Sequence, residues 1–467
     1  MRNRKGSIMN QAKAKIIASS TAGDTVAASG GRISTTQGTA LEIYARSCEK
    51  ENNAALIEKV VGSGHTSTLE HQFFTVAFDS VSVFTEEFVI EFRLGSYTVQ
   101  SRRYVDYTNV GFYVPPLDAA MRPRFAAHMQ SLFDDYAKLL ELGIPKEDAR
   151  FVLPYCFRSN FYCTMNAREL IYMVLVMTKG RGSGYPELRM LGESLKEQLR
   201  DYFPNVPDLL AKHYPPAGSR TPDRYAVPDA FPALRDPHTE TAAVQLRTLA
   251  PENPVPMLQA AAGANWAVSC EGETACPVAD IICGERPREL ELVHVQFGIR
   301  DLSLAAVTHL VRHRIQTVLV PHITEAVLKN SYLLPESVKA NPEAEALYRG
   351  AFRRNTETAR ALLAEGLAGN VLQYFALAGN QLDVECAMNG RELLHFMKLR
   401  TCTRAQWEIR ACAVSLLRQL REKSPELFLH YGPSCYVTGA CPEGRLSCGK
   451  IAAVREQYSA AEIPDLQ

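Results

Sequence analysis

The chain has 467 residues, 46% of them hydrophobic and 22% charged, with 51 basic and 51 acidic side chains that cancel. This is a globular composition without bulk charge, which gives no support to a general nucleic-acid or membrane-surface role, so any cationic site must be local. The longest apolar run, 170–177, is far too short to cross a bilayer, and the cationic N-terminus has no apolar core behind it. The twelve cysteines are therefore read as reduced thiols of a cytoplasmic protein.

In chain order, residues 1–38 read as a loosely ordered segment that can include a first strand, because 19–38 is rich in Ser, Thr, Gly and Ala. A helix is expected to end near "SCE" at 47–49. The stretch "GSGHTS" at 62–67 lacks the third glycine of a dinucleotide fingerprint. The alternation Phe73, Thr75, Ala77, Asp79 predicts a strand, and a helix follows into Arg93. Two more helices complete this first lobe, 39–213, the last opening at "NAREL" (166–170). The Pro-rich stretch 214–241 reads as a linker.

The same order recurs over 242–467: "SCE" at 269–271, alternation at Val295, Phe297 and Ile299, then a helix into Arg314. A final helix starts at "NGREL" (389–393) and is expected to run from about Asn389 to Arg421 with a break at 401–403. Matching elements stand 221–223 residues apart: Asn166 with Asn389, "LLELG" (139–143) with "LLAEG" (362–366), His71 with His294, Arg93 with Arg314. Anchors at one offset across both halves identify a tandem duplication with an α+β pattern in each copy.

Arg312-His313-Arg314 has two readings. It is a solvated helix end, where cations favour the terminal dipole, or an anion site in which guanidinium groups bind phosphate in bidentate fashion. Further on, Arg391 and His395 are four apart and share one helix face, with Arg400 in line with Asn389 three turns away. Cys435, Cys441 and Cys448 repeat the spacings of Cys270, Cys276 and Cys283. They lack the fourth ligand and close pairing of a structural zinc site, and are read as packing thiols with no metal. His71 and His294 are expected as structural core histidines, and His322, beside Pro321, as a surface or packing residue.

Together these motifs resemble the flavin-dependent thymidylate synthases. The resemblance rests on Arg312-His313-Arg314 after an apolar helix, "NGRELLHF" (389–396) and "LRTCTRAQWEIR" (399–410). It extends to "GHTSTLEH" (64–71), "QSRRY" (100–104) and "ARFVLP" (149–154) in the first half. It implies two tandem lobes of helices around an antiparallel sheet, not a Rossmann fold. The family motif joins Arg-His-Arg to a serine and an Arg-Tyr. The first copy keeps Ser101, Arg103 and Tyr104 but carries Glu91 and Phe92, read as a decayed and repacked position. The second keeps Arg312, His313 and Arg314 but has His322 in place of the serine. Arg150, Arg400 and His65 likewise survive in one copy each.

Such complementary losses imply a composite site. Ser101, Arg103 and Arg150 of the first copy and Arg312 and Arg400 of the second would bind the nucleotide, with Ser101, Arg312 and Arg400 acting at the reaction. His65, Ser67, His313, Arg314, Asn389, Arg391 and His395 would hold FAD, with Asn166 and Arg168 as the other copy's counterparts. The implied reaction is C5 methylation of dUMP to dTMP with methylenetetrahydrofolate as carbon donor and NADPH as reductant. The implied assembly is a homodimer acting as a pseudo-tetramer, with no nucleic-acid or membrane partner. His309 stands where the family has Gln, which keeps another pyrimidine nucleotide open as substrate. A flavin- or nucleotide-binding relative without methylation activity is the alternative of another class.

Overall fold

The fold is that of a computed structural model, which describes residues 11–20, 24–214, 231–265, 277–460 and 462–463. The second "SCE" element, Cys270, Cys276 and most of the Pro-rich stretch lie outside these residues.

The first half runs β1 (Lys13–Ser19), α1 (Thr25–Ile33), α2 (Ala40–Cys48), α3 (Asn53–Gly62), β2 (Phe73–Ser82), α4 (Val83–Ile90) and β3 (Gly95–Val99). It continues with α5 (Met121–Glu141), α6 (Lys146–Ala149), β4 (Arg158–Asn166), α7 (Ala167–Thr178), α8 (Pro186–Leu199) and α9 (Val206–His213). The second half runs β5 (Ala243–Ala250), α10 (Val255–Asn265), α11 (Val278–Cys283), β6 (His294–Ser303), α12 (Leu304–Leu310), β7 (Thr317–Leu319), α13 (Ile323–Lys329) and α14 (Glu336–Lys339). There follow α15 (Pro342–Ala364), β8 (Gln381–Asn389), α16 (Gly390–Arg400), α17 (Trp407–Lys423), α18 (Pro425–Phe428), α19 (Ser434–Val437) and α20 (Ile451–Ser459).

Two four-stranded antiparallel sheets result, in the orders β1-β2-β4-β3 and β5-β6-β8-β7. This is the expected α+β, non-Rossmann architecture, written twice. The strands predicted at 73–79 and 295–299 are the central β2 and β6. Three expectations need correction. Residues 25–33, expected to be loose on composition, form α1, which buries Ala27 and Ala28. The sequence reading also missed β4 and β8, although Ser159, Phe161, Cys163 and Met165 alternate on one buried face of β4. His71 and His294 are exposed rather than core residues. The break after Arg400 is real, and the chain re-enters a helix only at Trp407.

The chain forms two compact units, 1–231 with 341–377, and 232–340 with 378–467. The long helix of the second repeat, α15, thus belongs to the first unit, where it packs on its counterpart α5. Phe125, Met129, Leu132, Phe133 and Tyr136 make the buried stripe of α5, and Tyr348, Ala351, Phe352 and Ala359 that of α15, both at helical spacing. Polar contacts fix the pairing: His128 meets Asn355 at 2.9 Å, and Arg354 pairs with Asp135.

Two local devices recur in both copies and set up the site. In β2 and β6 the register shifts at a residue in the left-handed region, Ser80 (φ 54°) and Asp301 (φ 57°). Each donates its backbone N–H to the neighbouring strand, Ser80 to Asn160 at 2.8 Å and Asp301 to Asp383 at 2.9 Å. One turn on, Ser82 and Ser303 cap α4 and α12, accepting from the backbone N–H of Thr85 and Ala306 at 3.1 Å each. A buried carboxylate accepts from each cap serine's N–H, Glu187 at 2.8 Å and Glu408 at 2.9 Å, and from its hydroxyl. The bulge, the cap and the buried glutamate fix where α4 and α12 begin, and so where the Arg-His-Arg position falls at their ends.

Candidate active site

In the first unit, β3 delivers the chain through Gln100 into a turn that carries Ser101, Arg102, Arg103 and Tyr104. Ser101 Oγ accepts the backbone N–H of Arg103 at 3.3 Å. The Arg103 guanidinium lies 2.7 Å from the Glu147 carboxylate. Arg150, three residues on, donates its Nε–H to the Glu147 carbonyl at 3.0 Å. Glu147 therefore binds one arginine with its side chain and the other with its backbone, drawing Arg103 and Arg150 to the same place beside Ser101. Arg150 is buried, and its Nη2 has no hydrogen-bond partner among the described residues. Burial, followed by repulsion from Arg102, pushes its pKa down to about 10, so the guanidinium is still cationic at neutral pH. An unsatisfied buried cationic donor is costly unless a ligand completes it.

Arg102 is buried too, but it is spent internally. It is ion-paired to Glu86 and to Glu87, the latter at 3.2 Å, and Glu86 also accepts from Ser159. It anchors the turn while Arg103 and Arg150 do the presenting. At the first copy's lost Arg-His position, Phe92 is buried with its ring 5.8 Å from Tyr172, and Glu91 pairs with Arg181 at the surface. The position has been repacked, as expected.

In the second unit, the Arg-His-Arg triplet follows α12 directly. Arg312 and Arg314 are exposed and His313 is buried. Arg400 donates its Nε–H to His313 Nε2 at 2.9 Å, and His313 Nδ1 faces Glu392 at 3.2 Å. An accepting Nε2 places the ring proton on Nδ1, directed to the carboxylate. Burial first, and the Arg400 charge among the other causes, hold the imidazole below its usual pKa. His395 and Phe396 stand edge-on to the ring, at 5.6 and 5.0 Å. His322, in place of the family serine, caps α13 by accepting the Thr324 backbone N–H at 3.3 Å.

The residues expected to hold a flavin sit at strand-to-helix corners. Asn389 ends β8 and caps α16, accepting the Glu392 N–H at 2.8 Å, and Asn166 does the same for α7 with Glu169 at 2.9 Å. Arg391 and His395 are both exposed on α16, and Arg391 pairs with Glu291 at 2.7 Å. The other copy repeats this as Arg168 with Glu70. His65 and Ser67 are exposed where the 3-10 turn Thr66–His71 begins. That turn packs against α7 as the turn Arg288–Leu292 packs against α16. Exposed guanidinium, imidazole and hydroxyl donors around a capped helix N-terminus suit a diphosphate-bearing, heteroaromatic cofactor.

Ser101, Arg103 and Arg150 thus come together within the first unit, and His313, Arg400, Asn389, Arg391 and His395 within the second. Sequence reasoning missed Glu147 and Glu392, which orient these groups. Glu392 lies inside the "NGREL" motif, and Glu147 three residues before Arg150; both were legible as possible partners of the basic residues around them.

The family model described as "Thymidylate synthase complementing protein" matches residues 15–205 and 263–426. A flavin-dependent thymidylate synthase from Geobacter sulfurreducens is 35% identical over 177 residues, spanning 37% of this chain and 76% of that protein. One from Clostridium tetani is 30% identical over 194 residues, 36% of this chain and 74% of that protein. Among solved structures, the UMP/dUMP methylase PolB from Streptomyces cacaoi bound with 5-Br dUMP matches 43% of this chain and 95% of that one, at TM-score 0.37 and 24% identity.

Proposed function

Because the chain belongs to the thymidylate synthase complementing protein family, matched in two segments that cover most of it, we propose that it methylates C5 of dUMP to give dTMP. Methylenetetrahydrofolate would donate the carbon, and NADPH would restore the reduced cofactor. Bound reduced FAD would supply the hydride that this reductive methylation requires.

The chain's own residues bind and polarise. Arg103 and Arg150 take the nucleotide's anionic oxygens, and Ser101 contributes its hydroxyl at the same turn. Arg312 and Arg400 stabilise negative charge that builds on the uracil carbonyls once C5 is activated. His65, Ser67, His313, Arg314, Asn389, Arg391 and His395 hold the flavin, as the donor chemistry of the helix corners allows. The two sets come from different copies, and each copy has lost what the other keeps, so the active site is composite. The protein would work as a homodimer in which four lobes make two working sites.

The observation that carries this reading is the buried Arg150 guanidinium, with an unsatisfied Nη2, held with Arg103 beside Ser101 by one glutamate. It asks for an anion, and a nucleotide phosphate supplies one.

The direct test is the visible spectrum of the purified protein after incubation with FAD and desalting, with and without dUMP, followed by a dTMP-formation assay. A retained flavin spectrum that shifts with dUMP, and dTMP that depends on folate and NADPH, are expected. Retained flavin with no methylation of dUMP would favour another pyrimidine nucleotide, a reading that His309 supports. A protein that binds neither flavin nor nucleotide would overturn the proposal.

A further inference from the structure

In the second unit, residues 427–463 lie beyond the matched segment 263–426 and pack against α16, the helix that carries Arg391, His395 and Arg400. Arg421 organises them. It is buried and donates to the backbone carbonyls of Phe428, Leu429, Tyr431, Tyr458 and Ala460, at 2.8–3.5 Å. The matching position of the first copy is Arg200, because Gln198 and Gln419 accept the N–H groups of Ile16 in β1 and Leu246 in β5 alike, each at 2.8 Å. Arg200 is exposed and pairs with Glu197 and Asp208. The carbonyl-gathering arginine therefore belongs to the copy that keeps Arg400.

Two tyrosines reach from this segment to opposite ends of α16. Both are buried, and Arg421 fixes the backbone carbonyl of each. Tyr431 donates its hydroxyl to the Gly390 carbonyl at 3.0 Å, between Asn389 and Arg391. Tyr458 donates to the Thr401 carbonyl at 3.2 Å, one residue past Arg400. Ser434 adds a bond to the Lys398 carbonyl at 3.2 Å. The last carbonyls of a helix have no intrahelical partner, so the hydroxyls of Ser434 and Tyr458 complete that end and resist its fraying.

We propose that Tyr458 and Tyr431 are positioning residues. Tyr458 fixes the end of α16 so that Arg400 stays on His313, and Tyr431 fixes its start so that Asn389 and Arg391 keep their places at the flavin corner. This rests on the reading of those residues as nucleotide and flavin ligands. Both tyrosines act through the helix backbone. Arg400 is the last residue of α16, so a loosened final turn moves its 2.9 Å bond to His313 first. His313 reports that movement without any ligand. Its pKa is held below the usual value by burial first, with Arg400 and His395 acting in the same direction and Glu392 opposing them. Withdrawal of Arg400 therefore lets it rise.

The test is titration of the His313 ring by NMR of histidine labelled at Cε1, in the ligand-free full chain, with the signal assigned by its loss in His313→Gln. Tyr458→Phe should raise the His313 pKa. Ser434→Ala should raise it less, and it decides the matter where Tyr458→Phe does not fold. Tyr436→Phe is the control. It removes a bond to the Leu429 carbonyl at 2.7 Å within the same segment, and should lower the melting temperature while leaving the His313 titration as in the wild type. In ligand titrations, Tyr458→Phe should raise the Kd for dUMP and Tyr431→Phe the Kd for FAD, each about fivefold, the loss of one neutral hydrogen bond. A wild type that binds neither ligand overturns the functional reading, while the His313 titration still decides the role of Tyr458. A His313 titration unchanged in the folded variants, or moved as far by Tyr436→Phe, would overturn the positioning of Arg400. Unchanged FAD affinity in Tyr431→Phe of a flavin-binding protein would overturn that of the flavin corner.

Discussion

Arg400 donates its Nε–H to Nε2 of His313 at 2.9 Å, across 87 residues of sequence. That bond fixes the imidazole tautomer, directs its proton to Glu392, and orients the Arg400 guanidinium from the side. The triplet is therefore no plain solvated helix end: its central histidine is buried and bonded to Arg400 and Glu392 of α16, while the flanking arginines are exposed.

The pH dependence of stability follows from this pair. Burial and Arg400 hold the His313 pKa below its usual value of about 6.5. Below pH ~6.5 the unfolded chain therefore binds a proton that the folded chain refuses, and stability falls as the pH drops through that window. Melting temperature measured from pH 8 to pH 5 should decline more steeply in the wild type than in His313→Gln, which can keep both hydrogen bonds without titrating. Parallel pH profiles would mean that His313 is not buried as a neutral ring.

Arg150→Met should weaken nucleotide binding, because it removes the buried donor that a phosphate would complete. A charge-assisted hydrogen bond worth about 2 kcal/mol corresponds to a ~30-fold rise in Kd. Calorimetric titration with dUMP measures it. Because the variant also relieves an unsatisfied buried charge, its melting temperature without ligand should hold or rise. A loss of stability with unchanged affinity would make Arg150 a structural residue.

Gly390 is required by close backbone approach. A Cβ there would stand 2.7 Å from the Leu290 carbonyl oxygen, and neither atom has a flexible side chain to give way. Gly390→Ala should destabilise the second unit by about 1–3 kcal/mol and displace the turn Arg288–Leu292 that pairs with Arg391. The matching position of the first copy is Ala167, where alanine is native, so Ala167→Gly should cost less. Thermal unfolding of the two variants side by side checks the contrast.

Sharing of the site between copies is tested by mixing. Ser101→Ala and Arg312→Ala chains should each be severely impaired in dTMP formation. If each site draws both residues from one chain, mixed dimers stay inactive. If the residues come from two chains, a random mixture recovers about a quarter of wild-type activity, because one site in each heterodimer is intact. Recovery well beyond that would place Ser101 and Arg312 in separate sites.

Much was legible before the fold. The duplication, the α+β class, the central strands β2 and β6, the helices entering Arg93 and Arg314, and the family itself follow from motifs whose spacing survives in the sequence, because local periodicity and capping are encoded within a few residues. Composition misled at 25–33, where small residues that suggest looseness instead let α1 pack closely through Ala27 and Ala28. Strands β4 and β8 escaped because each runs straight into a helix at Asn166 or Asn389, and the helical motif masked the short alternation before it.

What only the tertiary structure decided are the meetings between distant segments. Sequence named Arg150 and Arg103, but the fold showed Glu147 joining them and left Nη2 of Arg150 unsatisfied. It matched "LLAEG" (362–366) with "LLELG" (139–143), but packing placed the helix α15 that leads into it in the first unit against α5. Spacing along a chain records which residues share an element. Which elements meet is set by burial of complementary faces and by the need to pair buried charge, and neither is written at any one position.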